Sequence, residues 1–113
     1  MAVFSSYQTP WVDTGFIDVS ADAAYPTLPQ VEFEATYNPS SLLLTLDGDA
    51  ASHVEYSFDG TNTHGSLKDS CLVSVERACM TNQVFRRIWF KTIAGAVVTV
   101  NVQADSVIRS FGR

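Results

Sequence analysis

Ser57-Phe58-Asp59-Gly60-Thr61-Asn62-Thr63-His64-Gly65 places an aspartate, an asparagine and a histidine within six residues. A carboxylate, an amide and an imidazole that close together are the groups of a metal site or of acid–base chemistry. The spacing points elsewhere. A calcium loop needs regularly spaced oxygen ligands closed by a glutamate, and this stretch has no such glutamate. Zinc asks for three or four His, Cys or carboxylate ligands, and this stretch holds no H-x-x-x-H or H-x-E pair. Asp, Asn and Gly supply local backbone hydrogen bonds and positive φ, so the stretch is predicted to be a turn.

Asp47 and Asp49 form a second carboxylate pair, of the type that glycoside hydrolysis uses. Their place on either side of Gly48 already explains them as turn residues. No G-x-S-x-G elbow, phosphate loop or dinucleotide glycine pattern occurs. The expectation is a chain without enzymatic activity, with no catalytic residue, cofactor or metal ligand to assign.

The elements that would position these turns read as strands. Val31 to Tyr37 alternates, with Val31, Phe33, Ala35 and Tyr37 on one side and Glu32, Glu34 and Thr36 on the other. Leu42, Leu44 and Leu46 share a side before the Asp47-Gly48 turn signal. Val54, Tyr56 and Phe58 point inward, with His53, Glu55 and Ser57 outward. Near the start, Ile17, Val19 and Ala21 oppose Asp18, Ser20 and Asp22. A weaker strand runs from Cys71 to Val75, and Val75 to Phe85 is a short helix or a loop.

Arg86 to Ala104 is predicted to be a hairpin turning at Ile93-Ala94-Gly95, with Gly95 left-handed. That register sets Thr92 opposite Ala96, Phe90 opposite Val98 and Ile88 opposite Val100. A two-residue turn would instead bury Arg87 and Lys91 on the apolar side. Trp89 is then outward, between Arg87 and Lys91 and beside Thr99, covered either by its own chain or by another subunit.

At 113 residues with 46 % hydrophobic content, the chain suits one domain with a buried core. The net charge of −5 argues against a nucleic-acid partner. Arg77, Arg86, Arg87, Lys91, Arg109 and Arg113 all follow the mainly acidic first part, a polarity that suits subunit packing. No apolar run reaches membrane-spanning length and no secretory signal pattern opens the sequence, so no membrane partner is expected and synthesis in a cytosol is. Cys71 and Cys79 are separated by seven residues and are expected to be reduced thiols.

Short strands between turn signals predict an all-β fold, an antiparallel β-sandwich or jelly roll. Residues 16–113 form its single domain. Residues 1–15 carry Phe4, Tyr7, Pro10 and Trp11 among small polar residues, and are set apart as an extended N-terminal arm. The same segment also reads as a first edge strand of its own domain.

Ser57-Phe58-Asp59-Gly60, Asn62, His64 and Gly65, followed by Arg87, Trp89, Phe90, Val98, Val100 and Val102, carry a family likeness. This pattern over residues 53–104 resembles small β-rich virion structural proteins of tailed bacteriophages. Lys68 to Phe85 departs from the Gly- and Pro-rich connection of that type, and residues 1–50 lie outside the match.

The resemblance implies a virion component made in the host cytoplasm. It is expected to be a capsid decoration or cement subunit that bridges neighbouring capsid proteins and is itself a homo-oligomer. Phe4, Tyr7, Trp11, Arg87, Trp89 and Lys91 are its expected contact residues. A head–tail or tail-associated protein is the near alternative. A carbohydrate-binding β-sandwich for host attachment is the other, with Trp11 or Trp89 stacking on a sugar ring.

Overall fold

The computed structural model describes residues 3–4, 11–33, 39, 41–68, 72–76 and 86–105. Among them are nine strands and no helix: β1 Val3–Phe4, β2 Trp11–Asp18, β3 Val31–Phe33, β4 Ser41–Gly48, β5 His53–Ser57, β6 Gly65–Lys68, β7 Leu72–Glu76, β8 Arg87–Ala94 and β9 Val98–Asp105. They form a five-stranded sheet in the order β1-β3-β8-β5-β6 and a four-stranded sheet in the order β2-β9-β4-β7. Neighbours are antiparallel except β1 and β3, which are parallel.

The alternation of the sequence becomes a β-sandwich-like core. Val31, Phe33, Val54, Ile88 and Phe90 of one sheet pack in a single cluster with Leu42, Leu44, Leu46, Val100 and Val102 of the other. Each strand has one apolar side, and the facing sheet covers it. Ala35 and Tyr37, together with residues 77–85, lie outside the described residues.

The β8–β9 hairpin is overturned. β8 pairs with β5 (Phe90 with Tyr56, Thr92 with Val54) and with β3. β9 pairs with β4 and β2, so Val98 lies beside Gly48, Val100 beside Leu46, and Thr99 beside Asp47 and Asp18 rather than Trp89. Residues 95–97 instead carry the chain from one sheet to the other. Ile88, Phe90, Val98, Val100 and Val102 all point inward, as expected, but from opposite sides of the core. Alternation fixes which side chains are buried, and both a hairpin and a crossing satisfy it.

The crossing still requires Gly95 at φ +116°, where a Cβ would stand 2.9 Å from Ser52 Oγ. Asp49 ties this crossing to the β4–β5 crossing. Its Oδ2 accepts from Ala96 N at 3.1 Å and its Oδ1 from Ser52 Oγ at 2.9 Å.

β2 begins at Trp11, so the boundary drawn at residue 15 falls within a strand. A bulge between Asp13 and Phe16, with Gly15 at φ +73°, reverses the strand's parity. Val12 is buried before the bulge, and Ile17 packs on the core after it. Val19 is buried as expected, whereas Ala21 is exposed because the strand has already ended.

Residues 19–30 cross from β2 to β3 and close an open edge. β3 pairs β8 only at Arg87 and Ile88, and Pro29 has no N–H with which to extend the ladder. The Gln30 amide takes over: its Oε1 accepts from Phe90 N at 2.9 Å and its Nε2 donates to Phe90 O at 2.8 Å. Nε2 also donates to Asp22 Oδ2 at 3.1 Å, and Asp22 O accepts from Thr92 N at 2.6 Å. One side chain thus acts as a strand residue, blunting an edge that would otherwise recruit another chain.

Gln30→Ala strands both Phe90 groups and is expected to cost about 1–3 kcal/mol. Gln30→Glu should cost more at neutral pH, because a carboxylate then faces Asp22 and the Phe90 carbonyl. Urea unfolding midpoints check both variants, and unchanged midpoints would refute the role.

Candidate functional site

The Ser57–Gly65 loop is built around one carboxylate. Asp59 Oδ1 accepts from Thr61 N and Asn62 N, each at 2.8 Å, and from Ser57 Oγ at 2.9 Å. Oδ2 accepts from Asn62 Nδ2 at 2.9 Å. Ser57, expected outward, is instead fully buried. Its hydroxyl is spent on the turn, accepting from Gly60 N at 2.9 Å and Asp59 N at 3.2 Å. Phe58 N donates to His64 Nδ1 at 3.0 Å, and His64 N donates to Tyr56 O at 2.9 Å.

The three groups whose types suggested chemistry therefore hold the backbone of their own loop. Hydrogen bonds from Asn62 N and Thr61 N, and then from the Asn62 side chain, push the Asp59 carboxyl far below the usual carboxylate range. A carboxylate so stabilised in its charged form is a poor proton acceptor.

The loop also covers the outer face of β8. Gly60, at φ +81°, rests on the Trp89 ring, and a Cβ there would lie 2.9 Å from Trp89 Cε2. Trp89 is half-buried under its own chain, opposite Ser57 of β5. Beside it, Lys91 Nζ is 3.5 Å from Glu55 Oε1 and 4.8 Å from the centre of the Tyr25 ring. Thr63 Oγ1 bonds Tyr25 Oη at 2.6 Å and donates to Glu55 at 3.3 Å, linking the two covering loops. Arg87 Nε is 3.3 Å from Glu32 Oε2.

The expected contact residues are thus divided. Arg87, Trp89 and Lys91 share the outer face of β8, partly occupied by partners within the chain. Phe4 is beside Phe33 in the β1–β3 register, and Trp11 is opposite Asp105 in the other sheet. Tyr7 lies outside the described residues.

The sequence reading missed the outer face of the four-stranded sheet. Phe16, Asn101, Thr45 and Leu72 stand in one register row across β2, β9, β4 and β7. Phe16 is 53 % and Leu72 64 % exposed. Asp13 sits in the row on one side of them, Asp18 and Asp47 in the row on the other. Among the described residues of this face there is no Lys or Arg.

Asp13 is held below its ordinary range first by Gly15 N and then by the Gln103 amide, and Asp18 by Ser20. These uncharged donors fix the carboxylates without neutralising them. The alternation of Ser41–Asp47 already turned Leu43, Thr45 and Asp47 outward, but the bulge at Gly15 concealed Phe16. Comparisons with protein-family models, curated proteins and solved structures returned no match to the chain.

Gly60→Ala adds both backbone strain and a clash with a rigid ring. It is expected to cost about 1–3 kcal/mol and to shift Trp89 emission, read in a Trp11→Phe background. The Asp59 network has its own pH signature. A depressed folded pKa contributes stability that is fully present above the unfolded carboxylate value of about 4 and is lost as pH falls towards the folded value. Asp59→Ala should therefore flatten the fall of the urea midpoint below about pH 4, and an unaltered acid limb would count against the network.

Proposed function

We propose that this chain is a non-enzymatic structural component of a tailed-phage virion, a capsid decoration or cement subunit bridging neighbouring capsid proteins. The observation that carries the reading is the contrast between the two outer faces. One is laid over by the chain's own loops. Among the described residues no loop covers the other, where Phe16 and Leu72 stand exposed in a single row, ready to bury area against another protein.

The winding also supports a jelly roll. From β2 onward every connection except β5–β6 passes from one sheet to the other, giving β2-β9-β4-β7 against β3-β8-β5-β6. Jelly rolls serve in viral capsids and in lectins. The lectin alternative is weakened by Gly60, which occupies one surface of the Trp89 ring.

In this reading the N-terminal part of the chain serves as the arm, and its strands β1 and β2 lie at sheet edges. Many weak contacts per particle then give avidity that no single contact has.

Quantitative mass spectrometry of purified particles tests the proposal. A decoration subunit should approach the copy number of the capsid protein, and a few copies per particle would favour the head–tail or tail alternative. Absence from the particles would refute a virion role.

A further inference from the structure

We infer that β7 is a docking edge for a second copy of this chain: two β7 strands pair antiparallel about Ser74 and join the four-stranded sheets of two molecules into one. The inference goes beyond the virion reading and is tested on the chain alone, so either can fail without the other.

β7 ends its sheet, with β4 on one side and, among the described residues, no strand or backbone hydrogen bond on the other. An open edge offers unpaired N–H and C=O groups to any extended chain, and folded proteins ordinarily guard against that. The other described edges are guarded. β2 carries the Gly15 bulge, β1 is two residues long, and β6 is four residues long and ends in the exposed Lys68. Where β3 stops short beside β8, Gln30 takes its place. β7 has none of these devices. Leu72-Val73-Ser74-Val75-Glu76 holds no Gly, Pro, Lys or Arg, and its register with Ser41–Thr45 of β4 runs without a bulge. Its two valines favour extended pairing.

The core also lies open at this edge. Val73 packs on the core cluster yet stays partly exposed, and Leu72 is 64 % exposed on the outer face. Another strand laid beside β7 would cover both.

A second copy suits the edge because the strand is complementary to itself. Pairing about Ser74 sets Ser74 opposite Ser74, Val73 opposite Val75 and Leu72 opposite Glu76, so all five residues find partners. Positions of one parity meet positions of the same parity, so the apolar side of one sheet continues as the apolar side of the other. Sliding the strands until Glu76 faced Glu76 would lose most of the pairing and set like charges opposite each other. The ladder supplies about four to six backbone hydrogen bonds. The two-fold contact uses up the same edge on both copies, so association stops at the dimer. Two such short edges bury little area, so the dimer is weak in dilute solution and is favoured where copies gather on one surface.

The test is the mass of the purified chain by light scattering over a concentration series, with hydrogen exchange of the β7 amides read in the same samples. The wild type should pass from monomer to dimer and no further, with β7 amides slowing as it does. Ser74→Lys and Ser74→Glu, at an exposed position, each place like charges together at the axis and should weaken dimerisation by about tenfold. Mixing the two variants should restore a heterodimer, because opposite charges then meet at the axis. Leu72→Glu faces Glu76 of the second copy and should also weaken dimerisation, a second reading that does not depend on how well the Ser74 variants fold.

A wild type that stays monomeric at every concentration would overturn the inference and leave the edge to a strand from another protein. Association of unchanged strength in the Ser74 and Leu72 variants would overturn it too. Loss in both Ser74 variants without recovery on mixing would overturn the pairing about Ser74.

Discussion

The strands of both sheets each turn an apolar side to the core, and the need to cover that side governs the rest. A single sheet would leave one side of Leu42, Leu44 and Leu46 in water. Two sheets face each other instead, and the chain passes between them at almost every connection. Crossings cost backbone order and expose polar groups at the ends of the sandwich. The polar side chains of the turns answer that cost. Asp49 binds two crossings together, Ser20 Oγ accepts from Val98 N at 2.8 Å, and Gln30 completes the ladder that β3 leaves short.

The side chains that first suggest chemistry belong to the same economy. Asp59, Asn62 and His64 close a nine-residue loop on itself and bring Gly60 down onto Trp89. A second loop, through Tyr25 and Thr63, joins it over Lys91 and Glu55. The five-stranded sheet is thereby dressed by its own chain. No comparable cover lies on Phe16 and Leu72 among the described residues, and this asymmetry carries the functional reading.

Burial was legible wherever the period of two ran unbroken, as at Leu42–Leu46, Val54–Tyr56 and Val98–Val102. Pairing was not. Ile88 and Phe90 satisfy the same pattern whether β9 lies beside them or across the core, so the inferred hairpin was a crossing. Two local features also hid from alternation. Gly15 inserts a bulge that turns Phe16 outward, and Ser57 is buried because its hydroxyl serves the Asp59 turn. The turn itself was readable from Asp, Asn and Gly types alone. The bare sheet face needed register, which places Asp18 and Asp47 on either side of Thr99 although they are far apart in sequence.

The central claim is that this protein assembles through the outer face of its four-stranded sheet. Oxidative footprinting of side chains in the dilute chain and in its particle-bound form tests that claim most directly. The account predicts that Phe16 and Leu72 become protected on assembly, while the exposed Ile93 and Val97 at the β8–β9 crossing keep their reactivity. Protection of Ile93 and Val97 with Phe16 and Leu72 unchanged would contradict it.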